Sequence, residues 1–261
     1  LVYEETIERF SVSIYPTSDE KYFVISTGDH SANKLYILKK EKGKLKLNLF
    51  KQFKENISYS IDSWENFFYL HTNEGAKDFK ILRSHHKNRQ KFTDYVRPKK
   101  NTIIGSYLIL ENWFIWKETT NANSKIFVRS TLSQKQEEIN FFGNDIKSIS
   151  FSSYEKDKKS NFIYIGYSSP IEPGITYKYN LKNKQKKIIK KQIIPSGFKK
   201  TDYVTERLYA LSKDKVKIPI TVIRHKKTKI NGQANILLYG YGSYGSSLGN
   251  GFSSAKYSLI N

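Results

Sequence analysis

Tyr22 to Leu38 reads YFVISTGDHSANKLYIL, and Phe67 to Leu82 answers it with FFYLHTNEGAKDFKIL. Two further units follow, FIWKETTNANSKIFVR from Phe114 and FIYIGYSSPIEPGITYKY from Phe162, so the starts lie 45, 47 and 48 residues apart. Each unit is an aromatic-rich run, a polar turn and a second run such as Lys34 to Leu38 or Lys125 to Arg129. Side chains either alternate or are apolar throughout, as half-buried and buried strands require. Helical i, i+3, i+4 spacing is missing. Weaker flanking runs, for example Ile103 to Leu110, bring the count to four strands per unit. A period near 47 with four strands per repeat predicts blades of a β-propeller, a β-sandwich with coincidental periodicity being the alternative.

Working outward, the 261 residues carry 45 Lys and Arg against 24 Asp and Glu, with 15% aromatics and neither Cys nor Met. The lack of Cys excludes a disulfide scaffold and a cysteine-ligated metal centre. The lack of Met predicts that the chain is a fragment. Leu1 to Phe10 has no apolar signal-peptide core, which predicts a cytoplasmic protein. A net charge of +21 raises nucleic-acid binding, but seven of the 45 basic residues are Arg, the side chain suited to bidentate phosphate contacts. The lysines accompany abundant Ile, Asn, Tyr and Phe, an AT-rich codon signature, so neither nucleic acid nor membrane is expected as a partner. Lys182 to Lys191 (KNKQKKIIKK) reads as a solvated strand edge, where lysine opposes sheet-to-sheet aggregation.

Four units carry the chain to about Lys191, after which the composition changes. Ile193 to Lys200 (IIPSGFKK) reads as a linker, giving domains 1–195 and 196–261. The second opens as strand, turn, strand: Val204 to Leu211, a turn at Ser212 to Lys215, and Val216 to Ile223. Asn235 to Tyr239 (NILLY) then reads as a short buried strand. Ile230 to Ala255 is uncharged, yet too rich in Gly, Ser and Asn to span a membrane.

The loop after NILLY, Gly240-Tyr241-Gly242-Ser243-Tyr244-Gly245, satisfies G-x-G-x-x-G. It lacks the following helix and the acidic residue some twenty positions on that a dinucleotide site needs. Ser243 is no nucleophile elbow either, because G-x-S-x-G would place Gly where Tyr241 stands. The five histidines show no metal-ligand spacing, and His85-His86 reads as a loop. No metal or other cofactor is expected. Tyr241 is the candidate donor: a phenol in a glycine-rich loop past a strand can stabilise an oxyanion, although a packed loop tyrosine fits the same sequence.

Tyr203 to Ile220 (YVTERLYALSKDKVKIPI), Leu237 to Gly245 (LLYGYGSYG) and Phe252 to Leu259 (FSSAKYSL) together resemble the junction between propeller and catalytic domain in serine peptidases of the prolyl oligopeptidase family. Y-G-Y-G-S-Y-G is similar to the oligopeptidase B branch. Leu1 to Pro16 and Tyr59 to Arg83 also resemble its propeller, so the likeness covers the whole chain.

That resemblance implies a mostly β chain: a partial, roughly four-blade propeller followed by the first strands of an α/β-hydrolase domain. It implies cleavage of short peptides through a Ser-His-Asp triad, with Tyr241 as the oxyanion-hole tyrosine. None of the triad has a counterpart here, so the chain alone is expected to be inactive. A partial propeller kept for protein or peptide binding is the alternative, and exposed blade flanks imply self-association. Where the family carries the acidic pair of S-I-D-x-D-F, this chain has Ser247-Leu248-Gly249-Asn250-Gly251-Phe252, with Gly249 and Gly251 replacing both carboxylates. Preference for basic substrate residues loses its counter-charge. The family's Asp-Gly turn is Asp214-Lys215, which puts lysine where φ is often positive.

Overall fold

The structure, a computed structural model, describes residues 1–41, 43–142, 146–154, 157–195, 197–243 and 246–261. Four antiparallel sheets of four strands each run in order along the chain. The first comprises β1 (Ser11–Pro16), β2 (Phe23–Gly28), β3 (Asn33–Glu41) and β4 (Lys44–Lys51). The second comprises β5 (Tyr59–Trp64), β6 (Phe67–Thr72), β7 (Lys80–His85) and β8 (Thr93–Val96). In the third stand β9 (Thr102–Leu110), β10 (Trp113–Thr120), β11 (Asn123–Ser130) and β12 (Gln136–Ile139). The fourth holds β13 (Ser148–Ser152), β14 (Phe162–Ser169), β15 (Glu172–Asn180) and β16 (Lys186–Lys191). Each repeat read from sequence forms the two central strands of one sheet, and the weaker runs form its edges, as the spacing predicts. A two-stranded hairpin of β17 (Tyr203–Leu211) and β18 (Lys217–His225) follows, and α1 (Ser254–Ile260) ends the chain.

Two compact units result, Leu1–Ile104 and Gly105–Asn261. Within the first, one core gathers Tyr22, Val24, Leu35, Ile37, Tyr59, Ile61, Phe68 and Leu70, facing residues of the first and second sheets. Within the second, Leu110, Ile115, Ile126, Val128, Ile149, Ile163 and Ile165 do the same for the third and fourth sheets. Period-2 side-chain alternation aims every second residue of each inner strand at these cores. The six residues of β16 are all exposed at an edge of the fourth sheet, so the lysine-rich run is a solvated edge strand.

Two expectations are corrected. Asn235–Tyr239 is not a buried strand: it pairs with nothing among the described residues, and Ile236, Leu237 and Leu238 are more than 70% exposed. An apolar strand forms only where neighbours accept its backbone hydrogen bonds, and none of the described strands does so. Second, His85-His86 is no loose loop: His85 ends β7 and His86 opens a 3₁₀ turn (His86–Asn88) with its ring tilted against Phe68 at 4.3 Å. SAKYSLI at the C-terminus, for which the sequence carries no expectation, forms α1.

Candidate functional site

The candidate site lies in the last sixty residues, whose local structure starts with the β17–β18 hairpin. Its strands pair in unbroken register from Tyr203↔His225 to Leu211↔Lys217, and Arg224 clasps Glu206 through Nε (3.1 Å) and Nη2 (2.7 Å). Lys215 has φ +62° in the connecting turn, the left-handed value anticipated for that position. A lysine there costs roughly 1–2 kcal/mol that glycine would avoid. Ser212 offsets part of it, because its hydroxyl accepts from the Val216 amide at 3.0 Å and pairs with Asp214.

Tyr241 stands beyond the unpaired NILLY segment and is half exposed, at 52%. Gly240, Gly242 and Gly249 all border open space, so no neighbour in this structure demands glycine there. Tyr244 and Gly245, the end of the glycine-rich motif, lie outside the described residues, as does Ser196 of the linker. Gly251 differs: a Cβ there would meet Ser168 Oγ at 3.3 Å and Ser148 Cβ at 3.6 Å, against the small-residue face of the fourth sheet. An acidic side chain at this position would therefore stand beside two serine hydroxyls.

Asn250, between the two glycines, is the residue that sequence reading passed over. It is buried at 7%, donates from Nδ2 to the Ala122 carbonyl (2.8 Å) and accepts the Thr221 hydroxyl on Oδ1 (2.8 Å). One amide thus ties the loop to β18 and to the β10–β11 turn, where Asn121 and Ala122 both have positive φ. Arg207 reaches the same turn, with Nη2 donating to Asn123 Oδ1 at 3.2 Å.

Next to it, Phe198, Tyr203, Phe252 and Tyr257 form an aromatic cluster with centroid separations of 4.5–5.3 Å. Tyr257 sends its hydroxyl to the Pro170 carbonyl, and burial pushes its pKa up to about 12. These rings fix the loop's C-terminal end, while Tyr241 stays on the free side. Among the described residues, no group of three His, Asp or Glu could hold a metal ion, and no helix is long and apolar enough to cross a membrane.

Residues 1–192 match the family model described as the prolyl oligopeptidase N-terminal β-propeller domain. The chain belongs to that family. Its four four-stranded sheets match the blades of such a propeller. Dipeptidyl aminopeptidase BI of Pseudoxanthomonas mexicana is 26% identical over 265 aligned residues, covering all of this chain and 36% of that protein. Protease 2 of Moraxella lacunata is 23% identical, over 94% of this chain and 35% of its own length. Among solved structures, oligopeptidase B from Leishmania major superimposes with a TM-score of 0.89 at 20% identity, over 99% of this chain and 38% of that one. Oligopeptidase B from Trypanosoma brucei gives 0.90 at 17% identity, again over 99% and 38%. At that identity the likeness is one of fold. The chain spans little more than a third of the length of these relatives.

Proposed function

We propose that the chain is propeller, residues 1–195, and the opening strands of an α/β-hydrolase domain, residues 196–261, of an oligopeptidase B-like serine endopeptidase acting on short peptides. What carries the reading is that similarity to dipeptidyl aminopeptidase BI extends over the whole chain, past the propeller match that ends at residue 192. In that role Tyr241 is an oxyanion-hole donor. Stabilising an oxyanion takes a donor in a site closed to water. Tyr241 is half exposed here. The G-x-S-x-G spacing that the sequence offers at Gly245 to Gly249, around Ser247, lacks the strand-to-helix turn of a nucleophile elbow, since residues 246–250 form neither strand nor helix. The chain by itself should therefore not hydrolyse Arg- or Lys-terminated chromogenic peptides, since the covalent route lacks its attacking group. Turnover abolished by a serine-directed phosphonate would overturn this.

One observation favours a second reading, in which the partial propeller binds a protein or its own copies. Val12, Ile14, Phe23, Leu45 and Leu49 share a face of the first sheet by register and are each about half exposed. They flank the buried Ile25 and Thr27, which Glu5 of the N-terminal segment helps to cover. Exposed apolar patches of this kind drive association, which the net charge of +21 opposes until salt screens it. Sedimentation at rising ionic strength tests it: growing assemblies support self-association, and an unchanged monomer with no affinity for apolar dye removes it.

A further inference from the structure

Serine, histidine and aspartate meet in the first unit, away from the candidate site. Ser63 Oγ on β5 lies 2.9 Å from Asp19 Oδ2 and 3.0 Å from His86 Nε2. The order is wrong for nucleophilic catalysis, because the hydroxyl stands between acid and imidazole and Ser63 is completely buried. The arrangement instead joins two sheets. Asp19 belongs to the β1–β2 turn, Ser63 to β5 and His86 to the turn after β7.

The same turn is clamped to the second sheet on each side. Ser18 donates from its backbone N and its Oγ to Asp62 at 2.6 Å each, the Asp19 amide donates to the Ser63 carbonyl at 3.2 Å, and Lys21 Nζ donates to the Glu65 carbonyl at 2.8 Å. Asp19 also accepts the Thr17 hydroxyl at 2.8 Å. The His86 ring forms the floor, set edge-on to Tyr22 at 5.6 Å and tilted against Phe68 at 4.3 Å. Counting protons fixes the roles. Ser63 has one hydrogen, which the Asp19 carboxylate takes because it can only accept, so Nε2 of His86 must donate to Ser63.

We propose that His86 is an acid-sensitive latch whose neutral, Nε2-protonated ring holds the β1–β2 turn on the second sheet. A second proton would put a charge beneath Tyr22 and Phe68. Burial pushes the ring's pKa below its ordinary value, although the Phe67 backbone and Asp19 pull upward, and Lys21 and His85 add to the depression. Of the remaining cations nearby, Arg89 lies over the outer reach of the Phe68 ring at 6.0 Å. A base with a depressed pKa stabilises the closed form fully above its unfolded value near 6.5, and that contribution is lost as the pH falls below it. The opening equilibrium should rise by up to ~10-fold per pH unit in that range.

Native-state hydrogen exchange on the full 261-residue chain at pH 7.5, 6.5 and 5.5, corrected for intrinsic rates, tests the latch at the amides of Asp19 and Tyr22. The opening constant should grow several-fold between pH 6.5 and 5.5 in the unsubstituted chain and stay flat in His86→Gln. Equal growth in both, or none in the unsubstituted chain, would overturn the proposal. Should His86→Gln not fold, an NMR titration of the His86 ring decides: a midpoint below that of a free histidine supports the latch, and one at or above it refutes it.

Discussion

Asn33 holds the first and second sheets together by standing in for a missing strand. Tyr59 begins β5, an edge of the second sheet, and is buried at 4%. The Asn33 amide closes that edge, accepting the Tyr59 N–H on Oδ1 at 2.7 Å and donating from Nδ2 to the Tyr59 carbonyl at 2.8 Å. Asn33→Ala would leave one buried donor and one buried acceptor unpaired. Each such group costs about 1–3 kcal/mol, and water reaching part of the gap keeps the pair near 2–4 kcal/mol. Expressed as local opening, that is roughly 30- to 900-fold. Amide exchange along β5 and β6 should accelerate by that factor, while β14 and β15 of the other unit stay unchanged. Asn33→Asp keeps the acceptor but sets a negative oxygen against the Tyr59 carbonyl, so it should open the edge at least as far as alanine does. Protection within threefold of the parent in Asn33→Ala would refute the claim that this amide closes the edge.

Gly28→Ala should destabilise the first unit by about 1–3 kcal/mol, because its Cβ would lie 2.1 Å from the Ala32 carbonyl oxygen and 2.6 Å from Asn33 Cα; an unshifted denaturant midpoint for that unit would contradict this. The Glu5 carboxyl is held down to about 2 by hydrogen bonds from Tyr3 and Thr27, with Lys34 at 3.1 Å. A depressed carboxylate stabilises fully above its ordinary value and loses that effect as the pH falls toward 2, so the N-terminal segment should release between about pH 4.5 and 2; a Tyr3 NMR signal with the same pH profile in Glu5→Gln would sink this reading. In a longer protein that includes the nucleophile, Tyr241→Phe should lower kcat about 100- to 1,000-fold, and an unchanged kcat would remove Tyr241 from the oxyanion hole.

The sheets were legible because strand-forming residues repeat at a fixed interval, and the turn at Lys215 was legible because a two-strand hairpin constrains φ there. His86 was not, because its neighbours Ser63 and Asp19 are distant in sequence and come together only when two sheets meet. Asn250 escaped notice for the same reason, its partners being Ala122 and Thr221. NILLY misled in the opposite direction. Its apolarity promises burial, yet a strand also needs backbone partners, which hydropathy cannot register. The helix at SAKYSLI is too short for a periodicity argument, and what holds it is Tyr257 packed among Phe198, Tyr203 and Phe252.

The bare NILLY segment also bears on how the molecule must be kept in a cell or a tube. Segments of six or seven residues with high β-propensity and neither charge nor proline are the signature of steric-zipper cores, in which identical segments stack in register and lock their side chains dry. The five residues of NILLY with their uncharged flanks approach that length. Lysine guards most strands of this protein, but from Ile230 to Ala255 no charge interrupts the run, and Lys229 and Lys256 stand too far off to act as gatekeepers for Ile236 to Tyr239. Whatever covers these residues therefore also keeps the chain out of a fibril, and one aspartate at Leu237 would substitute for that cover at the level of solubility alone.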